Sequence, residues 1–311
     1  MDLKKLGANG PLVPAVCVGT SPLGGSPGLY GYDVDEPRAI ATVSRALELG
    51  FVFIDTSNEY GNGASERRIG SALRHTVAGA SDVVIASKAD PPPGEKRLDG
   101  PRVHDSFIES IERLGVDRLD VFYLHDPERF EFTEMSQAGG ALDAMLELKA
   151  DGLVDLVGVA GGDIDEMRRY LHTGLLDVLL HHNGFTLLDQ SADQLIVDCA
   201  ATGVAFVNAA PYASGILAKS PAERPRYRYR APAAAVSEKV AWLHEVSGQF
   251  GVPLAALALQ FSTRDERIAS TVVGVSAPQR IDELSYNIAL EIPGELWALV
   301  QDRLERVSPD G

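Results

Sequence analysis

Short runs rich in β-branched residues alternate with longer amphipathic stretches along almost the whole chain. The apolar runs predict strands at Val16–Thr20, Phe51–Thr56, Val83–Lys88, Leu119–His125, Leu156–Gly161, Val178–Asn183, Val204–Ala209 and Ser270–Gly274. Helical periodicity falls between them at Glu36–Leu49, Ser65–Arg74, Arg102–Leu114 and Leu142–Asp151. It continues at Ile164–Leu171, Ser191–Ala201, Ala234–Phe250 and Pro278–Ala289. The strands are nearly continuous in their apolarity, which suits parallel strands buried on both faces. Eight strand–helix units without a break in composition predict one α/β domain over residues 1–311, a (β/α)8 TIM barrel. An open doubly wound sheet would want a G-x-G-x-x-G turn after its first strand. Gly19-Thr20-Ser21-Pro22-Leu23-Gly24-Gly25 does not supply one.

Two segments fall outside the repeat. Leu3–Pro14, with Gly7, Asn9-Gly10 and Pro11, predicts a β-hairpin that plugs the bottom of the barrel. Glu295–Val307 predicts an extra C-terminal helix. The connection Tyr212–Pro232 is long and irregular, and loops of that length in a compact domain usually carry function or motion.

Composition narrows the partners. A formal charge of -16 and a pI near 4.8 disfavour nucleic acid, because most of the surface would repel phosphates. The run Arg224-Pro225-Arg226-Tyr227-Arg228-Tyr229-Arg230 is the local exception and reads as a solvated loop tip. No apolar run approaches the roughly 18 residues of a membrane span, so no membrane contact is expected. Met1-Asp2-Leu3-Lys4-Lys5 lacks the apolar core of a signal peptide, which favours a cytoplasmic location. Cys17 and Cys199 lie in apolar segments and read as buried free thiols. No closely spaced Cys/His set suggests zinc, and no metal is expected.

The chemistry concentrates at three strand ends, where a barrel of this kind keeps its reactive groups. Asp55, Lys88 and His125 close the second, third and fourth strands, separated by 33 and 37 residues, about one β/α unit each. They therefore emerge side by side on one rim, with Tyr60 in the loop that follows Asp55. A tyrosine hydroxyl, with an ordinary pKa of about 10, exchanges protons poorly near neutrality. A neighbouring ammonium favours the phenolate, so Lys88 is expected to lower that value and fit Tyr60 for acid–base work. Asp55 would hold Lys88 in place and keep it charged. His125 would orient a substrate oxygen.

Around these residues the sequence resembles a known family. Phe53-Ile54-Asp55-Thr56-Ser57-Asn58-Glu59-Tyr60-Gly61, followed by Ser65-Glu66-Arg67-Arg68-Ile69-Gly70, is similar to the aldo-keto reductase signature. Ala86-Ser87-Lys88 and Asp120-Val121-Phe122-Tyr123-Leu124-His125 resemble two further motifs of that family, in the right order. The resemblance implies NAD(P)-linked interconversion of a carbonyl and an alcohol, with Tyr60 as proton donor or acceptor and no metal. The stretches 182–190 and 207–217, together with His125-Asp126-Pro127, resemble its sugar 1-dehydrogenase branch. That branch holds D-threo-aldose (L-fucose) and galactose-type dehydrogenases, and pyridoxal 4-dehydrogenase is similar. It implies oxidation of a fucose-, galactose- or arabinose-like aldose, or a similar hemiacetal, at C1.

The cofactor residues implied are Gly19, Thr20, Asp55 and Asn183, then Ala210, Pro211, Tyr212, Ser214, Gly215 and Leu217 in the loop after strand seven. Gly274, Ser276, Arg280 and Glu283 complete the set; they belong to the stretch 273–283, which resembles the family's adenosine-binding segment and runs into a helix start that favours anions. Three departures from the family pattern stand out. Gly274 occupies the place where many NADPH-using members carry a lysine, leaving only Arg280 for a 2′-phosphate, which leans the reading towards NAD over NADP. Ala160-Gly161 replaces the usual Ser-Asn after strand five, so the nicotinamide carboxamide needs another partner such as Asn183. Ala209 stands where an aromatic commonly stacks on the nicotinamide.

The competing enzyme reading is an NADPH-dependent aldehyde or ketone reductase. The competing non-enzyme reading is a cofactor-binding regulatory subunit, which need not keep all four reactive groups. Specificity is expected in Ser26–Tyr32, Pro127–Thr133 and the 212–232 connection. His104, His181 and His182 are expected to serve packing.

Overall fold

A computed structural model of the chain describes residues 3–75, 82–219, 227 and 231–307. The basic run 224–230, Tyr227 apart, and much of the 212–232 connection lie outside the described residues.

Strands β1 (Leu3–Lys5) and β2 (Leu12–Pro14) pair antiparallel as the expected hairpin. The barrel follows as β3 (Val16–Gly19), β4 (Phe53–Asp55), β5 (Val84–Ala89), β6 (Leu119–His125), β7 (Val154–Gly161), β8 (Val178–His182), β9 (Ala205–Ala209) and β10 (Ile268–Gly274). All eight are parallel to their neighbours, and β10 pairs with both β9 and β3 to close the ring. Helices α1 (Pro27–Tyr30), α2 (Glu36–Glu48), α3 (Ala64–His75), α4 (Gly100–Leu114), α5 (Phe132–Ser136), α6 (Ala141–Ala150), α7 (Ile164–Leu171) and α8 (Asp193–Thr202) accompany strands β3 to β8. Then come α9 (Ala234–Gln249), α10 (Leu254–Thr263), α11 (Pro278–Ala289) and α12 (Gly294–Val307).

Local chemistry sets the helix ends. The carboxylates of Asp35, Asp99 and Asp163 accept from the backbone N–H three residues on, starting α2, α4 and α7. Gly115 and Gly203 take left-handed conformations that end α4 and α8, a geometry costly for residues with a Cβ.

Strand parity decides what faces the barrel axis. Cys17, Phe53, Val84, Ala86, Val121, Tyr123, Val178 and Val207 pack together inside the ring. Their neighbours Ile54, Ile85, Phe122, Leu124 and Leu179 turn outward against the helices. Because side chains alternate, Asp55 follows Phe53 inward, Lys88 follows Ala86, and His125 follows Tyr123. The three therefore form part of the topmost inward layer. At the opposite end Leu6 and Val13 of the hairpin segment join the inner cluster, fully buried, and stop the barrel.

One helix was expected between β9 and β10, and there are two. The second, α10, buries Leu254, Ala256, Leu257, Ala258, Leu259 and Ser262. Its outer side is covered by α9 and α12, whose Val240, Leu243, Leu296 and Val300 share its cluster. A helix covered on both sides has no polar stripe, and so no amphipathic period to read. The short helices α1 and α5, in the loops after β3 and β6, were likewise not expected. The final helix α12 falls where the periodicity placed it.

Both cysteines are buried and free. Burial, and Asp55 after it, pushes the Cys17 thiol well up, and burial lifts Cys199 to about 12, so neither is a thiolate near neutrality. Among the described residues no helix is long and apolar enough to cross a membrane.

The plug gives a direct test of the core. Leu6→Ala should cost about 2–5 kcal/mol of stability, as truncations of buried leucines do. Urea denaturation should show a lower midpoint, while the folded protein keeps its catalytic rate, because the site lies at the other end. An unchanged midpoint would mean that the hairpin is not part of the core.

Candidate active site

Lys88 is the centre of the upper layer, with only 1% of its surface exposed. A buried ammonium has three protons to satisfy, and here each has an acceptor. Nζ donates to Asp55 Oδ1 at 2.7 Å, to the Thr56 carbonyl at 2.6 Å and to the Tyr60 hydroxyl at 3.2 Å. It also stands 4.7 Å from the Tyr60 ring centroid. The other oxygen of Asp55, Oδ2, is buried without a hydrogen-bond partner among the described residues, and can accept from a hydroxyl brought against it.

The loop after β4 is shaped to present Tyr60. Gly61 has φ +61°, and a Cβ there would sit 2.0 Å from the Gly24 carbonyl oxygen. A Cβ on Gly24 would come within 2.7 Å of the Gly61 nitrogen, so the two backbones touch only because both residues are glycine. Thr20 Oγ1 donates to the Asp55 carbonyl at 2.8 Å and in turn accepts from Ser65 Oγ at 2.8 Å. Glu66 accepts from Ser87 Oγ at 2.7 Å and pairs with Arg113 at 3.1 Å, tying α3 to β5 and α4. Burial holds the Glu66 carboxyl above its usual range against the pull of Ser110, Ser87 and Arg113. The second half of the signature motif is thus a brace for the loop rather than a reacting group.

The acid–base expectation for Tyr60 needs a correction. Burial, followed by the negative charges of Asp55 and then by Tyr30, Asp90 and Asp126, holds its hydroxyl well above the ordinary tyrosine value. The Lys88 ammonium does not outweigh them. Tyr60 therefore keeps its proton through the neutral range in this fold.

His125 lies edge-on to Tyr60, with ring centroids 5.7 Å apart. Its Nδ1 meets Asp90 Oδ1 at 2.6 Å. Asp90 was not singled out in the sequence; it follows Lys88 by two residues, just past β5, and is fully buried. On the far side, His125 Nε2 and His182 Nε2 each stand 4.0 Å from Asp126 Oδ1. Asp126 occupies a left-handed conformation (φ +43°) unusual for a non-glycine residue, and such outliers gather at functional sites. Glu128 accepts from the Gly162 N–H at 2.8 Å, and Arg129 bridges to Glu59 at 3.2 Å. His182, expected to serve packing, is thus at the mouth of the site. His181 is buried and donates from Nε2 to the Gly162 carbonyl at 3.2 Å, and His104 pairs with Glu147 at 3.1 Å on the surface.

Strand ends bring most of the expected cofactor residues to the same rim. Gly19 and Gly274 are register partners at the ends of β3 and β10. Gly19 is also required by packing, since a Cβ would lie 2.8 Å from Val272 Cγ1. Thr20 is buried with its hydroxyl committed to Asp55, leaving only its backbone for a ligand. Asn183, at φ +64°, bonds through Nδ2 to His182 Nδ1 at 2.9 Å. Past the end of β9, Ala210, Ala213, Ser214 and Gly215 all take positive φ, from +47° to +89°, around Pro211 and Tyr212. Clustered left-handed residues make concave arrays of N–H groups that suit a phosphate. Leu217 turns its side chain into the cluster shared by α9, α10 and α12, and can offer only backbone. Beyond β10, Ser276 is half-buried and precedes α11, whose N-cap Ala277 gives no side-chain cap; Pro278 has no N–H and the Arg280 N–H donates to the Ala277 carbonyl at 3.0 Å, so the Gln279 N–H is the first-turn donor left for an anion. Arg280 is exposed and bonded to Glu283 at 2.6 Å. The rim, the left-handed loop and the uncapped helix together fit an elongated phosphate-bearing cofactor.

The sequence matches the aldo/keto reductase family over residues 15–304. It is 31% identical over 298 residues to D-threo-aldose 1-dehydrogenase of Pseudomonas sp, covering 87% of this chain and 89% of that protein. L-galactose dehydrogenase of Arabidopsis thaliana is 31% identical over 311 residues, 99% of this chain and 93% of that protein. The fold also matches an aldo-keto reductase from Bacillus halodurans, solved in its holo form, with a TM-score of 0.80 at 21% identity, covering 97% of this chain and 96% of that one. The family match begins before β3 and ends within α12, leaving no part of the barrel outside it. The chain belongs to the aldo/keto reductase family and is an NAD(P)-dependent oxidoreductase.

Proposed function

We propose that the chain oxidises an aldose of the fucose, galactose or arabinose type, or a similar cyclic hemiacetal, at its anomeric carbon, with NAD preferred over NADP. The observation that carries this reading is the polar mouth beside the reacting corner. His125 Nε2 and His182 Nε2 each stand 4.0 Å from Asp126 Oδ1, and Glu128 and Arg129 follow Asp126 in the same turn, Arg129 pairing with Glu59 at 3.2 Å. A polyhydroxylated ring suits such a rim, because each hydroxyl taken from water needs a new donor or acceptor. The two curated relatives above are named as dehydrogenases of aldoses, which supports the same substrate class.

A bound nicotinamide supplies the hydride acceptor. The chain does the rest. In its phenolate form, which rising pH populates, Tyr60 takes up the proton of the C1 hydroxyl as the C1–H bond breaks and its hydride leaves, and Lys88 Nζ, 3.2 Å away, donates to the phenolate oxygen. His125 Nε2, on the face of the ring away from Asp90, orients the substrate oxygen. Because burial and nearby carboxylates keep Tyr60 protonated, the oxidation should speed up as pH rises. The same feature makes Tyr60 a ready proton donor near neutrality. That supports the second reading, reduction of an aldehyde or ketone with NADPH.

For the NAD preference, Gly274 offers no cation, and Arg280 is engaged by a carboxylate that would oppose a 2′-phosphate. A Cβ at Gly274 would meet only Pro22, at 3.5 Å and beyond, so a longer side chain is admissible there.

Three measurements follow. Reduced-cofactor absorbance over a panel of aldoses, pyridoxal and simple aldehydes, with both cofactors, should show NAD-linked aldose oxidation; turnover confined to NADPH and simple carbonyls would favour the second reading. Tyr60→Phe should cut turnover by at least ~10²-fold while leaving cofactor binding nearly intact by fluorescence titration, and near-wild-type turnover would remove Tyr60 from the mechanism. Gly274→Lys should tighten NADP binding about tenfold, the scale of one added charge-assisted contact. Unchanged NADP affinity would show that this position does not set the preference.

A further inference from the structure

Asp90 is a buried carboxylate just beyond the end of β5, and every part of it is engaged. Its Oδ1 meets His125 Nδ1 at 2.6 Å. Its Oδ2 accepts from Ser57 Oγ and from the Glu59 N–H at 3.0 Å. Its carbonyl accepts from Arg102 Nε at 2.7 Å, and its N–H donates to Ser106 Oγ at 3.2 Å, which fixes the backbone to α4. A carboxylate accepts and does not donate, so the Nδ1 atom that faces it carries the hydrogen. The imidazole is thereby held in one orientation, with Nε2 left towards the mouth where Asp126 stands 4.0 Å away.

We propose that Asp90 is the positioning residue of this site: its carboxylate holds His125 with Nδ1–H bonded to it and Nε2 turned to the substrate oxygen. The proposal rests on His125 facing the substrate, as in the reaction above. A carboxylate behind a reacting imidazole selects its tautomer and stabilises its cationic form. In that form both nitrogens are donors, so Nε2–H can hold the substrate oxygen while Nδ1–H stays on Asp90.

The charges around the ring agree in sign. Burial opposes the imidazolium and Lys88 adds to that opposition, but Asp90 and then Asp126 outweigh them, so His125 holds its proton above the ordinary histidine range. Glu59 belongs to the same cluster, its carboxylate within 4.8 Å of Asp90 and His125, and Tyr60 contributes a ring edge without charge. Burial likewise opposes the Asp90 carboxylate, yet His125 and Ser57 bring it below the usual carboxylate range. The stability conferred through His125 is therefore full below the histidine value of the unfolded chain and fades as pH rises through the raised value in the fold. That conferred through Asp90 is full above the unfolded carboxylate value and is lost as pH falls through the lowered one.

The test is an NMR titration of the full-length protein labelled with ¹⁵N-histidine, with His125 assigned by comparison with His125→Gln. In the wild type its midpoint should lie above the ordinary 6.5, and its neutral form should carry the hydrogen on Nδ1. In Asp90→Asn the proton affinity of His125 should fall at least about tenfold, and kcat/KM should fall at least about tenfold with cofactor affinity unchanged. A midpoint that does not move in Asp90→Asn, with only a lower melting temperature, would reduce Asp90 to packing and overturn the proposal. Should that variant not fold, the wild type decides alone: an ordinary midpoint, or a hydrogen on Nε2 in the neutral ring, overturns it. The titration needs no substrate, so its outcome is separate from that of the aldose assay.

Discussion

The buried ammonium of Lys88 is the constraint on which the rest of the site depends. An isolated charge in that position would be prohibitively costly, and it is tolerated because three acceptors converge on it. One comes from the end of β4, one from the backbone just after it, and one from the loop tyrosine. Those acceptors bind the register of β5 against β4 to the path of the loop. Breaking a buried pair of this kind costs about 3–5 kcal/mol, so the geometry of the site is part of what holds the upper barrel together.

Two carboxylates then divide the work. Asp55 serves Lys88 and Asp90 serves His125, each fully buried or nearly so, each facing its own cation or potential cation. Their combined negative field, with burial, keeps the proton on Tyr60. The simple expectation that a neighbouring lysine frees that proton fails here because the lysine is already neutralised at 2.7 Å by Asp55, whose second oxygen has no partner among the described residues. Proton release is thus tied to pH and to what binds at the rim.

Much of this was legible in the sequence because it follows from periods. Alternation along apolar strands sets Asp55, Lys88 and His125 on the inner face, and separations of one β/α unit set them on adjacent strands. The same regularity located all eight barrel strands, and the turn residues Gly7, Asn9-Gly10 and Pro11 located the plug. What escaped detection lacks a period. Helix α10 is apolar on every side because other helices cover it. Asp90 and Asp126 sit in turns just past strand ends, where only their distance from Lys88 and His125 marks them. Thr20 and Leu217 are at the expected places, but their side chains serve the fold, which a motif does not reveal. Ser65 and Glu66 make the same point from within the signature, since they brace the loop that carries Tyr60.

The organising role of Lys88 is tested most directly by the pH dependence of the oxidation rate in Lys88→Met. Without the ammonium the phenolate of Tyr60 loses the cation that donates to it, so the alkaline rise in rate should move to higher pH and the rate near neutrality should collapse. An unchanged pH profile in a folded Lys88→Met protein would contradict this account and leave Lys88 a purely structural residue.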